Sequence, residues 1–349
     1  MRILQVITLC ELGGAQSVVI NLANKLSEQH QVIVAAGEGD GKMWQLLSPK
    51  IEQVHVPSLM RKLSPVNDFK TIFELKKLYR KYKPDIIHLH SSKVGILGRI
   101  AFPKSKVVYT VHGFDSIRVA YRKYLPIEKA LQSRCRAIVG VSKYDERNLL
   151  NEGITNHVSR IYNGIYPPRD LSTDPFEQIK GYKRKVLCVA RLASPKRVDL
   201  FLEVAALLPQ YAFIWIGNQH EVDMPHTDNV FFMGNIPNAG AYNRYADLFF
   251  LPSNYEGLPI VIIEALACGK PVVASAVGGI SELLDGTNGY AVENVAQEMA
   301  DKIELILSDE ARYGQMSLAA RETYQKSFTV DRMVEGYMQI YNSICRKTS

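Results

Sequence analysis

Short apolar runs rich in β-branched residues alternate along the chain with stretches of helical spacing. In the first half the pattern predicts strands at 2–8, 32–36, 85–90, 107–111, 137–141 and 158–162, with helices at 14–29, 68–83, 92–103, 120–134 and 143–152 between them. A second series begins at Val186, with strands near 186–190, 212–216, 230–233, 247–251, 271–275 and 290–292. Its helices fall near 197–208, 239–246, 259–268, 296–307, 310–325 and 331–346. Strand-helix alternation of this kind makes parallel sheets covered on both faces, so two doubly wound α/β domains are expected. The run Tyr166-Pro167-Pro168-Arg169-Asp170 and the polar stretch to Lys185 read as the linker. The expected domains are 1–168 and 169–330, with a closing helix at about 331–349 packing back on the first.

Composition leaves this picture intact. At 349 residues, 47% hydrophobic and 22% charged, the chain can build two ordinary cores. No apolar run reaches the roughly 18–20 residues of a membrane span, and the start reads as a first strand, not a leader, so a cytoplasmic protein is expected. The five cysteines are odd in number and widely spaced, which favours structural thiols over disulfides or a metal site.

Charge does add something. Residues 1–170 carry 26 Lys+Arg against 14 Asp+Glu, whereas the remainder carries 16 against 21. A basic first half suits an anionic partner, either a membrane surface or a phosphorylated substrate. One candidate is the helix bearing Lys76, Lys77, Arg80, Lys81 and Lys83, which equally reads as a solvated face. The other is the segment from Lys104 to Arg136, where Phe114, Tyr121 and Tyr124 are interleaved with cations as an interfacial segment requires. No nucleic-acid motif accompanies the charge, so nucleic acid is not an expected partner.

The chemistry-bearing residues lie just after strands, where open parallel sheets place their ligands. Gly13-Gly14 opens a helix, permitting close backbone approach to a phosphate, though a plain tight turn reads the same way. Three histidines, His88, His90 and His112, close adjacent strands; His112 precedes Gly113, which leaves room for a ligand. No carboxylate or thiol sits at supporting spacing, so no metal is expected. Arg191 and Lys196 follow the first strand of the second half and suit a diphosphate, with the alternative of surface ion-pair partners. A helix start at 195–197 would assist them. The densest stretch is Asn254–Glu264, which carries Glu256 in a loop and Glu264 inside an apolar helix. A buried carboxylate needs donors such as a ribose diol, and the helix-opening backbone at Gly257, Leu258, Pro259 and Ile260 offers N–H groups except at the proline.

Taken in order, these residues resemble the group 1 glycosyltransferases, the retaining nucleotide-sugar enzymes with the GT-B fold. The resemblance spans nearly the whole chain and is most specific at Glu256-Gly257-Leu258-Pro259 to Glu264, continued by Gly269-Lys270-Pro271 and Gly278-Gly279-Ile280-Ser281-Glu282. It implies two facing Rossmann-like domains with the active site in the cleft between them. Arg191 and Lys196 would bind the donor diphosphate, helped by the backbone at Gly14 and around Leu258. Glu264 would hold the ribose, Glu256 the hydroxyls of the transferred sugar, and His112 that sugar near its reacting carbon; the base would pack near Ile236. No cofactor or metal is implied, only a nucleotide-sugar co-substrate, UDP being the expected nucleotide. The acceptor would be lipid-linked or a glycan, in bacterial capsule, O-antigen or exopolysaccharide assembly, with peripheral attachment to the inner face of the plasma membrane. Three positions depart from the common pattern: Gln16, Arg197, and the Gly257-Leu258-Pro259 loop, which bears on the donor sugar.

The competing readings are a non-catalytic nucleotide-sugar-binding partner of a transferase and a GT-B sugar-nucleotide epimerase. The epimerase lacks the Glu pair. A dehydrogenase would need a Gly-x-Gly-x-x-Gly after the first strand, which is missing.

Overall fold

A computed structural model describes residues 1–220 and 222–346. The chain forms two compact units, one from residues 1–165 with the C-terminal segment from Thr329, the other from residues 166–328.

The first unit runs β1 (Arg2–Ile7), α1 (Gly14–Leu26), β2 (Gln31–Ala36), α2 (Lys42–Gln45), β3 (Glu52–His55), α3 (Pro65–Tyr82), β4 (Ile86–His90), α4 (Ser92–Ala101) and β5 (Val107–Val111). It continues with α5 (Leu125–Leu131), β6 (Ala137–Gly140), α6 (Lys143–Asn151) and β7 (Val158–Arg160). Its seven strands are all parallel, in the order β3-β2-β1-β4-β5-β6-β7. The order reverses between β1 and β4, so the loops after these two strands part and leave a crevice at the carboxyl edge. Central strands such as β4 and β5 are buried along their whole length, and their Val and Ile content follows from being covered on both faces.

The second unit contains β8 (Lys185–Val189), α7 (Val198–Leu207), β9 (Ala212–Ile216), β10 (Val230–Phe232), β11 (Leu248–Leu251), α8 (Ile260–Ala267), β12 (Val272–Ser275), α9 (Ile280–Leu283), β13 (Gly289–Val292), α10 (Ala296–Leu307) and α11 (Glu310–Ser327). The six strands are parallel in the order β10-β9-β8-β11-β12-β13. Phe201, Phe213, Trp215 and Phe250 stack edge and face in its core. A closing helix, α12 (Val330–Arg346), returns to the first unit, where Tyr341 and Tyr337 reach His88 and Thr110. Residues 347–349, the end of the expected closing helix, lie outside the described residues.

Four differences from the sequence pattern have physical causes. The strand β3 has no apolar alternation because it is a short, largely exposed edge strand. The helix expected at 120–134 is broken into a π turn, two 3-10 turns and α5, since Pro126 fits only a first turn and restarts the helix there. The stretch 239–246 is a 3-10 helix over Ala239–Tyr245. Finally, the stretch read as a linker is part of the second unit. Phe176 is buried against Tyr242, and the Leu171 carbonyl accepts from the Tyr245 hydroxyl at 2.9 Å.

Candidate active site

In the second unit the site is assembled from loops after β8, β9, β10 and β11. The turn after β8 is held by Ala193 N–H donating to the Arg191 carbonyl (2.9 Å) and Lys196 N–H donating to that of Ala193 (3.0 Å). It presents Arg191 exposed, with no side-chain partner among the described residues, and directs Lys196 onto Glu256. The Lys196 ammonium donates to Glu256 Oε1, and the Ser253 hydroxyl donates to the same oxygen at 2.7 Å. Both side chains are mostly withdrawn from water, which strengthens the pairing relative to a surface ion pair. Oε2 of Glu256 has no partner among the described residues and is the oxygen left for a ligand hydroxyl.

The helix expected to open at 195–197 starts at Val198 instead. Arg197 closes the turn, its N–H donating to the Pro252 carbonyl at 3.1 Å and its guanidinium pairing with Asp199. This accounts for an arginine at that departure from the family pattern. Lys196 is thus fixed by a turn rather than by a helix start.

Sequence reasoning missed the polar support beneath this pair. Ser253 N–H donates to Ser275 Oγ (2.7 Å), Ser275 Oγ–H to Asn294 Oδ1 (2.5 Å), and Asn294 Nδ2–H to the Ser253 carbonyl (3.0 Å). Ser253 and Ser275 are fully buried, and a buried polar chain with every member paired is rigid. A polar residue closing each of two apolar strands was the available signal. Gly278 belongs to the same support of the loop. At φ +59° it approaches the loop so closely that a Cβ would lie 1.7 Å from the Glu256 carbonyl oxygen, and Gly279 N–H donates to the Gly257 carbonyl at 2.8 Å.

Glu264 projects from α8 and is largely enclosed. Burial pushes its carboxyl up to about 7. The site makes room for it at Gly240, where a Cβ would sit 2.6 Å from the carboxyl carbon. No hydrogen bond to its carboxylate is made among the described residues, so its acceptors are available to a diol. Gly257, Leu258, Pro259 and Ile260 open the same helix. The amides of Leu258, Ile260 and Val261 have no acceptor among the described residues and lie at the positive end of the helix dipole. Ile236 follows β10 on a loop tied down by Asn218, whose Oδ1 accepts from Gly234 N–H at 2.8 Å while Gly217 N–H donates to the Gly234 carbonyl at 2.8 Å.

Gly14 and His112 belong to the first unit. Gly14 begins α1 after the extended Gly13, and Gln16 turns back to the Leu9 carbonyl, so the residue at this departure acts as a loop brace. His112 follows β5. Its Nε2 lies 3.1 Å from His90 Nδ1, and its Nδ1 is buried without a partner among the described residues. Burial lowers it to about 4, so the ring is neutral at physiological pH and acts as a hydrogen-bonding group, not a cation. The loop is anchored by Asp145, which accepts from Phe114 N–H at 2.7 Å and from Ser142 Oγ at 2.9 Å. His88 is a satisfied interior residue, its two nitrogens 2.7 Å from Tyr341 Oη and Thr110 Oγ1. No group of three His, Cys, Asp or Glu side chains is placed to hold a metal among the described residues.

Comparison with known proteins supplies the context for these loops. The model of "Glycosyl transferases group 1" matches residues 172–323, and that of "Glycosyltransferase Family 4" matches residues 12–169. The O-antigen biosynthesis glycosyltransferase WbnH of Escherichia coli is 28% identical, covering 97% of each chain. An Escherichia coli UDP-Gal:alpha-D-GlcNAc-diphosphoundecaprenol alpha-1,3-galactosyltransferase is 28% identical over 95% of this chain and 94% of its own. The crystal structure of Anabaena HepE in complex with UDP and glucose superposes with a TM-score of 0.81 at 21% identity, covering 98% and 99% of the two chains. That likeness establishes the GT-B fold. The two family models meet where the chain passes from one compact unit to the other, so each unit carries its own half of the pattern, and the chain belongs to the group 1 glycosyltransferases.

Proposed function

We propose that the protein transfers a sugar, with retention of configuration, from a UDP-sugar to a lipid-linked acceptor during assembly of a bacterial surface polysaccharide. The observation that carries this reading is the Lys196–Glu256 pair, a cation and a carboxylate held side by side with an open carboxylate oxygen and the bare amides of α8 beside them on the same loop. The names of two relatives, an O-antigen glycosyltransferase and a UDP-Gal galactosyltransferase with a diphosphoundecaprenol acceptor, support the substrate classes.

Arg191 and Lys196 neutralise the donor diphosphate, together with the amides of Gly14, Leu258 and Ile260. Glu264 accepts from the ribose diol and Ile236 packs on the base. Glu256 accepts from hydroxyls of the transferred sugar, and neutral His112 hydrogen-bonds that sugar near its reacting carbon. The bond between C1 and the diphosphate oxygen breaks with its electron pair leaving on UDP. The acceptor hydroxyl oxygen then attacks C1 from the same face and passes its proton to a phosphate oxygen. Charge develops on the diphosphate, so the fixed cations supply the main stabilisation of the transition state. The reaction is placed at the inner face of the plasma membrane, where donor and lipid acceptor meet. No helix among the described residues is long and apolar enough to cross a membrane.

The test is a panel of UDP-, GDP- and ADP-sugars incubated with a polyprenyl diphosphate-linked sugar, with product anomer read by NMR. Turnover with a UDP-sugar to an α-linked product from an α-linked donor is expected. Donor binding without turnover on any acceptor would favour a non-catalytic partner instead.

A further inference from the structure

Helix α3 bears a surface that the donor site does not use. Val66, Phe69, Lys70, Phe73, Lys76, Lys77 and Arg80 recur at intervals of three and four and are all exposed, while Thr71, Leu75 and Tyr82 face the core. The exposure of the apolar members is large: Leu63 57%, Val66 78%, Phe69 64% and Phe73 49%. Phe69 and Phe73 meet edge to face at 4.8 Å, and Lys76 Nζ lies 6.0 Å from the Phe73 ring. The stripe is therefore apolar in its first half and cationic in its second, over about 21 Å of helix.

Its acidic residues are already engaged elsewhere. Asp68 pairs with Lys93 at 2.7 Å, and Glu74 accepts from Ser58 Oγ at 2.6 Å. Among the described residues Lys70, Lys76, Lys77 and Arg80 have no carboxylate partner. The other basic segment differs. Phe114 lies in the core, Arg118 pairs with Asp115, and Arg122 and Lys129 share Glu152, so although Val119 and Tyr121 are exposed, a smaller share of the cations of the segment from Lys104 to Arg136 is free for lipid phosphates than of those of α3.

We infer that the outward stripe of α3 docks the protein on an anionic lipid bilayer. Phe69, Phe73, Val66 and Leu63 enter the boundary between headgroups and acyl chains, and the unpaired lysines meet lipid phosphates. The Lys93–Asp68 pair and the Lys93 bond to the Lys62 carbonyl tie the apolar end of α3 to the first turn of α4, directly after His90 and Ser91. Docking there brings the carboxyl edge of the first sheet, with His112, toward the lipid surface. The inference deepens the proposed function by naming the surface on which a lipid-linked acceptor is met.

The test is flotation of the full chain with vesicles of phosphatidylglycerol and phosphatidylcholine at 3:7, and with phosphatidylcholine alone, in the absence of sugar donor, so that failure leaves the transferase reading standing. The wild type is expected to bind the anionic vesicles and to release as salt rises. The variants Phe69→Gln/Phe73→Gln and Lys70→Gln/Lys76→Gln/Lys77→Gln should each reduce the partition coefficient by about tenfold or more without lowering Tm. Absence of binding, equal binding by these variants, or loss of binding in Val119→Gln/Tyr121→Gln alone would overturn the inference. So would sedimentation velocity showing a wild-type dimer that Phe69→Gln/Phe73→Gln splits.

Discussion

Lys196 and Glu256, sixty residues apart, share a charge-assisted hydrogen bond in the absence of any ligand. In the proposed mechanism the donor diphosphate competes with Glu256 for the ammonium, while Glu256 keeps Oε2 for the sugar. Pre-pairing holds both side chains in place before the substrate arrives, which lowers the ordering cost of binding.

Replacing Lys196 by Ala removes the cation proposed to neutralise the leaving diphosphate and leaves Glu256 without its counter-charge. Turnover should fall about 10²–10³-fold, and Tm should drop because a largely enclosed carboxylate has lost its partner. Arg191→Ala should slow transfer by a similar factor with unchanged Tm, because Arg191 is exposed and supports nothing. Steady-state kinetics beside differential scanning fluorimetry separates the two effects, and an unchanged rate in Arg191→Ala would refute its assignment to the diphosphate.

Gly278→Ala should displace the Glu256 loop. The added Cβ meets the Glu256 carbonyl and the residue sits at φ +59°, so both sterics and backbone oppose it. The cost should be well over 1 kcal/mol, with donor affinity lost. Gly286 has a similar φ of +90° but open space around it. Gly286→Ala should cost only about 1 kcal/mol by the same chemical-denaturation measurement and leave donor affinity unchanged.

Donor binding should depend on pH through Glu264. In the free protein burial holds its carboxyl near 7, above the usual 4.5. A ribose diol donates to the charged form, so binding favours deprotonation and weakens as pH falls below 7, by about tenfold between pH 8 and pH 6 at most. Calorimetric titration with a UDP-sugar, which does not itself ionise in this range, reads the effect, and Glu264→Gln should flatten it. Because the folded carboxyl is raised above its unfolded value, the unfolded chain binds fewer protons between these two values, and stability falls as pH rises from 4.5 to 7. Glu264→Gln removes that penalty and should raise the Tm of the free protein by a few degrees at pH 8.

Arg99 and Glu128 form a buried ion pair in the first unit, with the guanidinium 4.5 Å from the Tyr109 ring. Glu128→Leu alone should cost about 3–5 kcal/mol by stranding the arginine, and Arg99→Met added to it should recover most of that loss. Urea denaturation of the two variants checks the sign.

Much of the fold was legible because parallel strands buried on both faces, such as Ile86–His90 and Leu248–Leu251, must be continuous apolar runs, whereas the edge strand Glu52–His55 carries no such mark. The candidate site was legible where chemistry demands an unusual residue in an apolar setting, as with Glu264 in α8. Its supports were not. Ser253, Ser275 and Asn294 act through tertiary hydrogen bonds, and Gly240 and Gly278 through the space they leave, and neither property has a local sequence pattern. In the basic segment from Lys104 to Arg136, the pairing of Arg118 with Asp115 and of Arg122 and Lys129 with Glu152 has no local sequence mark either, since these partners meet only in the folded chain.

The decisive measurement is the release of UDP from a panel of UDP-sugars in the presence of a polyprenyl diphosphate-linked sugar, followed for the wild type and for Lys196→Ala. The Lys196–Glu256 site predicts rapid UDP release by the wild type with at least one donor and a loss of about 10²–10³-fold in the variant. Equal rates for the two proteins, or no UDP release from any donor by the folded wild type, would contradict it.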